Sequence, residues 1–230
     1  MTAENLSELE NKIGVNFKNK DLLLQALTHR SYLNENPKWH LDQNERLEFL
    51  GDAVLELSVT EFLYKNYPNP EGELTSWRAA LVNAIILSRI TEKFDLNSFL
   101  LLSRGEAKDT GRARQYILAN AIEALIGAIY LDQGYEVADR FIARFILPEL
   151  PAILKQEAYR DYKSKFQEES QDRVGVTPTY EVIKEWGPDH AKNFHVGVYL
   201  NNDLIGEGNG PSKQEAQQEA AKDGLEKKGW

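Results

Sequence analysis

Between Asn44 and Leu57 the chain reads NERLEFLGDAVLEL, and this stretch constrains the fold more than any other. At about 100° per residue, Glu45, Glu48 and Asp52 fall at i, i+3 and i+7, on one face of a helix. Leu47, Leu50, Val54 and Leu57 fall on the opposite face, which is expected to pack. No Lys stands four residues after Glu48 or Asp52 to pair their charges. Gly51 costs a helix up to about 1 kcal/mol, so its presence beside Asp52 points to a close backbone approach. Two readings of the acids stand side by side: a solvated charged face, or carboxylates gathered for a cation.

The surrounding 1–150 segment reads as helical throughout. LSELENKIGV and KNKDLLLQALTH carry apolar residues at helical spacing, and the Asn44 helix runs on to a stop before Pro68. Glu73 to Phe94 reads as one further stretch without Pro, followed by Gln115–Leu131 and Tyr135–Phe145. Pro148 and Pro151 mark a helix end, and 151–158 is expected to be a linker. From 159 to 230 the texture changes. DYKSKFQEESQDR reads as a helix, TYEVIKEW as a strand, and GPDHAKN as a loop. In FHVGVYL, Phe194, Val196, Val198 and Leu200 alternate with other residues, as in a half-buried strand. Asn201, Asn202 and Asp203 make a turn, LIGEGNG a third strand, and Ser212 the N-cap of a closing helix. The expected fold class is an all-α N-terminal domain followed by an α+β domain of order α-β-β-β-α.

Further polar residues stand out against apolar surroundings. Glu71 opens a helix at PEGELT, where the helix dipole favours a carboxylate. Asn120 and Glu123 lie three apart in the strongly apolar ILANAIEALIGAIYLDQG. Burying them without partners is costly, so they form either a hydrogen-bonded core pair or oxygen ligands for a hard cation. There is no Cys, which excludes thiolate catalysis, disulfides and Cys-based metal sites, and fits a reducing cytoplasm. With His only at 29, 40, 190 and 195, a zinc site is poorly served, and His29 and His40 are expected to pack or cap. No 18-residue apolar run exists, so no spanning helix is expected, and MTAENLSELENK lacks the basic flank and apolar core of a secretory signal.

The balance of 27 Lys and Arg against 36 Asp and Glu, a net of −9, would by itself repel nucleic acid. Local patches can reverse it. The 103–114 loop gathers Arg104, Lys108, Arg112 and Arg114 against two acids, either as a solvated loop or as a phosphate contact.

These residues carry a resemblance. NERLEFLGDAVL is similar to the signature of the ribonuclease III family, with THRSY (28–32) before it and PEGELTSWRAALVN (70–83) and ILANAIEALIGAIYLDQG (117–134) after it. From Asp161 onward the chain resembles a double-stranded RNA-binding domain. The resemblance implies an N-terminal ribonuclease III catalytic and dimerisation domain at 1–150 and an RNA-binding domain at 159–230. It further implies a cytoplasmic homodimeric endoribonuclease. Metal-activated water would hydrolyse double-stranded RNA, one strand per site, leaving 5′-phosphates and short 3′ overhangs. Ribosomal precursors or messengers would be its substrates. Mg²⁺ is the implied cofactor, with Mn²⁺ the second candidate; no organic cofactor and no membrane are expected. The apolar run Ala121–Leu131 has surplus hydrophobicity for a dimer interface.

Carried over by position, the family's acids fall on Glu45, Glu48, Asp52, Glu71 and Glu123. Glu48, Asp52, Asn120 and Glu123 are implied to touch the metal, and Glu45, Asp52 and Glu123 to be catalytic. Glu45 and Glu71 are implied to act in an outer sphere or on a second metal. Two metals about 3.5–4 Å apart could activate water and stabilise the leaving oxygen. Asn120 departs from the family, which more often has Asp there. Its carbonyl can still bind Mg²⁺, but one negative charge is lost and metal affinity should fall. Asn120 also supports an alternative, a double-stranded RNA-binding protein with an impaired metal site.

In the C-terminal segment, Ser164, Gln167, Glu168 and Gln171 make one polar helical face suited to a minor groove. His190 would reach a second groove, and Ser212 and Lys213 would meet a phosphate at a helix N-terminus. Further Lys that such domains usually carry are here Gln214 and Gln217. With 10 basic and 13 acidic residues in 159–230, a net of −3, this part alone should bind RNA weakly and with strong salt sensitivity. A small protein-interaction domain of the same fold is the rival reading.

Overall fold

The computed structural model describes residues 2–156, 161–188 and 192–230. The chain divides into two units, Met1–Tyr159 and Arg160–Trp230. The first is helical. It comprises α1 (Ala3–Ile13), α2 (Lys20–Ala26), α3 (Arg30–Glu35), α4 (Glu45–Asn66) and α5 (Glu71–Leu81). There follow α6 (Ala84–Thr91), α7 (Leu96–Phe99), α8 (Arg112–Gln133), α9 (Tyr135–Phe145) and α10 (Leu150–Gln156).

Helix α8 is the hub of this unit, packed by α4, α6, α2, α9 and α7. Its middle is buried on every side, from Ala121 and Ile122 through Ala124–Ile129. A helix apolar all round belongs inside a core. This corrects the expectation of an interface at Ala121–Leu131: that hydrophobicity is spent within the chain, and only Leu131 at its end is exposed. The buried face of α4 is also shifted. Leu47 and Val54 are buried, but Leu57 is 56% exposed, while Leu55, Ser58 and Val59 are buried. A partner helix at Gly51 pulls the packed face toward residues 51, 55 and 58–59. Large apolar side chains therefore stay outside: Phe49 is 82% exposed and Tyr64 80%, with Ile85 of α6 also exposed.

Glu73–Phe94, expected as one stretch, breaks into α5 and α6. The Asn83 side chain accepts the Ile86 N–H at 3.0 Å and restarts the helix there. The 151–158 segment is helical through Gln156, with Ile153 buried, because α10 packs against α5. A backbone bridge links the segment before α3 to the one after α7. Leu101 N–H donates to Leu27 O at 2.8 Å, and His29 N–H donates to Leu101 O at 3.1 Å.

The second unit has α11 (Tyr162–Val174), β1 (Thr179–Trp186), β2 (Asn193–Leu200), β3 (Asp203–Gly210) and α12 (Lys213–Lys228). This is the α-β-β-β-α order read from the sequence. The sheet is antiparallel in the order β1-β2-β3. Leu200 pairs with Asp203 across a two-residue turn, and Asn201 takes a φ of 56°, which Asn tolerates. Val196, Val198 and Leu200 point to the core with Phe166 of α11 and Ala216, Ala220 and Leu225 of α12. Helix α12 lies so close to β3 that a Cβ on Gly208 would fall 2.2 Å from the Ala220 nitrogen.

Candidate active site

Asn44 sets the start of α4. Its side-chain amide donates to Ala26 O at 3.2 Å and its N–H to Thr28 O at 2.9 Å, so it ties α4 to the end of α2 instead of capping its own helix. From there Glu45, Glu48 and Asp52 leave the same side. Helix α8 crosses at Gly51 and Gly127. A Cβ on Gly51 would fall 1.8 Å from Glu123 O, and one on Gly127 2.2 Å from Leu47 O. Backbones this close bring the side chains of Asn120 and Glu123 beside those of Glu48 and Asp52. The approach that Gly51 signalled in the sequence is therefore the one that assembles the cluster.

The electrostatics follow from that packing. Burial, followed by the charges of Asp52 and Glu48, pushes the Glu123 carboxyl up to about 8 from an ordinary 4.5. Glu48 is raised by burial and by Glu45, with a smaller push from Asp52; a hydrogen bond from Asn120 opposes these. Asp52 is raised by burial and by Glu56. Three acids here resist ionisation for want of a counter-charge. Oxygen donors from three carboxylates and a carboxamide suit a hard cation such as Mg²⁺, and the raised Glu123 is what a nearby cation would relieve. Among the described residues, no three Asp, Glu or His side chains close into a ready-made cage. Glu45, Glu48 and Asn120 line one cleft, and Asp52 and Glu123 stand beside Glu48 without lining it.

The cleft has a volume of about 280 Å³ and is lined by His29, Glu45, Glu48, Tyr116, Ile117 and Asn120, among others. Glu45 stands at its rim, half exposed, accepting the Gln43 side-chain amide at 3.0 Å, with Arg30 3.7 Å away. Glu71 does not join the cluster. It is exposed at the first position of α5, and its carboxylate accepts the Thr75 hydroxyl at 3.1 Å.

Of the four loop cations, Arg104, Lys108 and Arg112 are exposed. Arg114 is half-buried and donates to Ala107 O at 3.3 Å, which makes it a strut of the loop. His29 was expected to pack or cap. It does cap α3, accepting Ser31 N–H on Nδ1 at 3.3 Å, and it also lines the cleft. Burial is the main cause that lowers its pKa. His29, Arg30 and Tyr116 are cleft residues that periodicity could not flag, since their neighbours in space are distant in sequence.

In the second unit, Ser164, Gln167, Glu168 and Gln171 are all exposed on α11. The Ser164 hydroxyl donates to Asp161 at 2.7 Å. Ser212 caps α12 by accepting Glu215 N–H at 3.2 Å, and Lys213 follows with its Nζ 5.7 Å from the Phe194 ring centre. His190 lies outside the described residues. A cation the sequence reading missed is Lys163 of α11, whose Nζ donates to Gln217 of α12 at 2.8 Å.

Comparison with known proteins places this architecture. Residues 19–150 match the family described as Ribonuclease-III-like, and residues 162–228 match the double-stranded RNA binding motif. A protein named Ribonuclease 3 from Natranaerobius thermophilus is 49% identical over 95% of this chain and 94% of its own length. Another of that name, from Pelotomaculum thermopropionicum, is 44% identical over 97% of this chain and 93% of its own. Among solved structures, the nuclease domain of ribonuclease III from Campylobacter jejuni covers 64% of this chain and 97% of its own, with a TM-score of 0.57 and 41% identity. A second structure of that domain, described for flexibility in a region involved in dimer formation, has a TM-score of 0.56 and 42% identity, covering 63% and 97%. Family matches to both units, with relatives this similar over nearly the whole length, show that the chain belongs to the ribonuclease III family of endoribonucleases.

Proposed function

We propose that the chain hydrolyses phosphodiester bonds of double-stranded RNA as a cytoplasmic homodimer, each site cutting one strand. The products would carry 5′-phosphates and short 3′ overhangs, as in the processing of ribosomal precursors or messengers. The observation that carries the reading is the backbone crossing at Gly51, which sets the half-buried Glu123 beside Asp52 and Glu48 and so pushes its carboxyl up to about 8. A solvated acidic face would show no such shift, because water would screen it.

Glu48, Asp52 and Glu123 would hold Mg²⁺ or Mn²⁺ with their carboxylates, and Asn120 with its carbonyl oxygen. When bound, the metal would supply positive charge to acidify an attacking water and to offset charge on the phosphate. Asn120 also hydrogen-bonds Glu48, which favours the ionised carboxylate. Glu45 at the rim would act in an outer sphere. Glu71, which stands apart from the cluster, would serve an outer or second-metal role. Arg104, Lys108 and Arg112 would draw the phosphate backbone toward an otherwise acidic surface. In the second unit, α11 would meet a minor groove through Ser164, Gln167, Glu168 and Gln171. His190 would reach a second groove, and the Ser212–Lys213 end of α12 would meet a phosphate. The homodimer is supported by the exposed apolar side chains Phe49, Leu57 and Tyr64, spaced i, i+8 and i+15 along one side of α4.

The test is a long labelled RNA duplex incubated with the protein and Mg²⁺. Short duplex products that vanish with chelator and with Glu123→Ala are expected. An intact duplex in both Mg²⁺ and Mn²⁺, retarded on a native gel, would instead identify an RNA-binding protein whose Asn120 leaves the site inactive.

A further inference from the structure

The cleft holds one ring whose protonation pattern is set by its neighbours. The Ser103 N–H donates to Ser31 Oγ at 3.0 Å. The Ser31 N–H donates to His29 Nδ1 at 3.3 Å, which makes that nitrogen an acceptor, and the Ser31 hydroxyl, 2.8 Å away, is free to donate to it as well. A nitrogen that accepts a hydrogen bond carries no proton, so the neutral ring holds its proton on Nε2. Among the described residues, none hydrogen-bonds that Nε2. The ring is also held in place by its backbone. The His29 N–H donates to Leu101 O at 3.1 Å, and the neighbouring Thr28 carbonyl accepts from Asn44 at 2.9 Å.

Of the other polar groups lining the cleft, Arg30 is exposed, with its guanidinium 3.7 Å from Glu45, and the acids beside it are acceptors. Glu45 and Glu48 present carboxylates, and the Asn120 amide is turned to Glu48. A nucleic-acid strand is rich in oxygen acceptors and meets repulsion from such a floor. A fixed N–H donor in the same cleft is complementary to that strand, and holding it in place beforehand lowers the cost of making the contact.

We propose that His29 is a substrate-contacting residue, its Nε2–H donating to an oxygen acceptor of the RNA strand beside the cut, either a non-bridging phosphate oxygen or a ribose 2′-hydroxyl. The proposal rests on the reading of this cleft as the cleavage site. Capping of α3 and contact with RNA then use opposite nitrogens of one ring.

The two roles separate by substitution. His29→Asn retains a side-chain acceptor for the Ser31 N–H but removes the Nε2 donor. Cleavage would be measured on duplexes with a single methylphosphonate, or a single 2′-deoxynucleotide, at each position flanking the cut. Thermal unfolding of the same proteins would report on the cap. His29→Asn is expected to unfold close to wild type and to lower kcat/KM by about 3–10-fold, the range of one hydrogen bond. At one position, a modification that slows the wild type should slow His29→Asn less. Coupling to methylphosphonate identifies the phosphate, and coupling to the deoxynucleotide identifies the 2′-hydroxyl. Wild-type cleavage with an equally active His29→Asn would overturn the proposal and leave the cleft reading intact. A loss in His29→Asn that couples to neither modification at any position would also overturn it and reduce His29 to a cap. A wild type that cuts no duplex would overturn the cleft reading and the proposal together.

Discussion

Gly51 lies directly against the backbone of Glu123, so close that a Cβ on residue 51 would fall 1.8 Å from the Glu123 carbonyl oxygen. No side chain can occupy that space. The crossing of α4 and α8 is therefore set by backbone, and the distance between the acids of one helix and the Asn–Glu pair of the other is set with it. Gly51→Ala should force the helices apart, destabilising the helical unit by about 3 kcal/mol or more and abolishing cleavage. Gly72→Ala on α5, where nothing lies within 4 Å, should instead be neutral or stabilising by up to about 1 kcal/mol. Denaturant unfolding of the two variants checks the contrast.

Glu123 links stability to pH. Unfolded, it titrates near 4.5; folded, it is pushed up to about 8. Between those values the folded chain keeps a proton that the unfolded chain has lost, so metal-free stability falls as pH rises through this window. Below about 4.5 the carboxyl is protonated in both states, and no penalty applies. The fall should be on the order of 3 kcal/mol between pH 4.5 and pH 8.5, smaller in Glu123→Gln, and reduced by Mg²⁺. Unfolding free energies across pH, with and without Mg²⁺, check this.

Asn120 in place of a carboxylate is expected to weaken metal binding. Asn120→Asp adds a negative charge beside Glu48 and removes the hydrogen bond that Asn120 makes to it. Metal-free protein should lose stability, while the Mg²⁺ concentration for half-maximal cleavage should fall by about 10-fold. Titration of cleavage rate with Mg²⁺ measures the shift.

Phe49 is 82% exposed on a helix whose other face is packed. If two chains associate through this side, Phe49→Ser should weaken the dimer by about 30-fold or more, as loss of a central apolar anchor does. The isolated chain should unfold as before, since the side chain contributes little to its own core. Sedimentation over a concentration series and thermal unfolding check both outcomes.

The order of elements was legible in the sequence because helix and strand periodicities are local. Glu45, Glu48 and Asp52 share a face for the same reason, and Asn120 and Glu123 stand out because polar groups interrupt an apolar run. Legibility ended where two elements meet. Leu57 has the spacing of a core residue yet is exposed, and Ala121–Leu131, apolar enough for an interface, is almost wholly core. The alternation in β2 marked its buried side, but the fit of Gly208 under Ala220 depends on where α12 lies.

By itself the sequence determined which residues each helix and strand could present on one side, since that follows from a repeat of a few residues. Tertiary structure alone decided which side was buried and what met across it. The shift of Glu123 needs Glu48 and Asp52 brought from 71 or more positions away in the chain, and the Ser31 hydroxyl beside His29 accepts from Ser103, 72 residues beyond it. Charge and hydrogen bonding act through space at a few ångströms, and in this chain those ångströms are set by the backbone crossing at Gly51 for the acids and by the Leu27–Leu101 backbone bridge for His29, neither of which periodicity encodes.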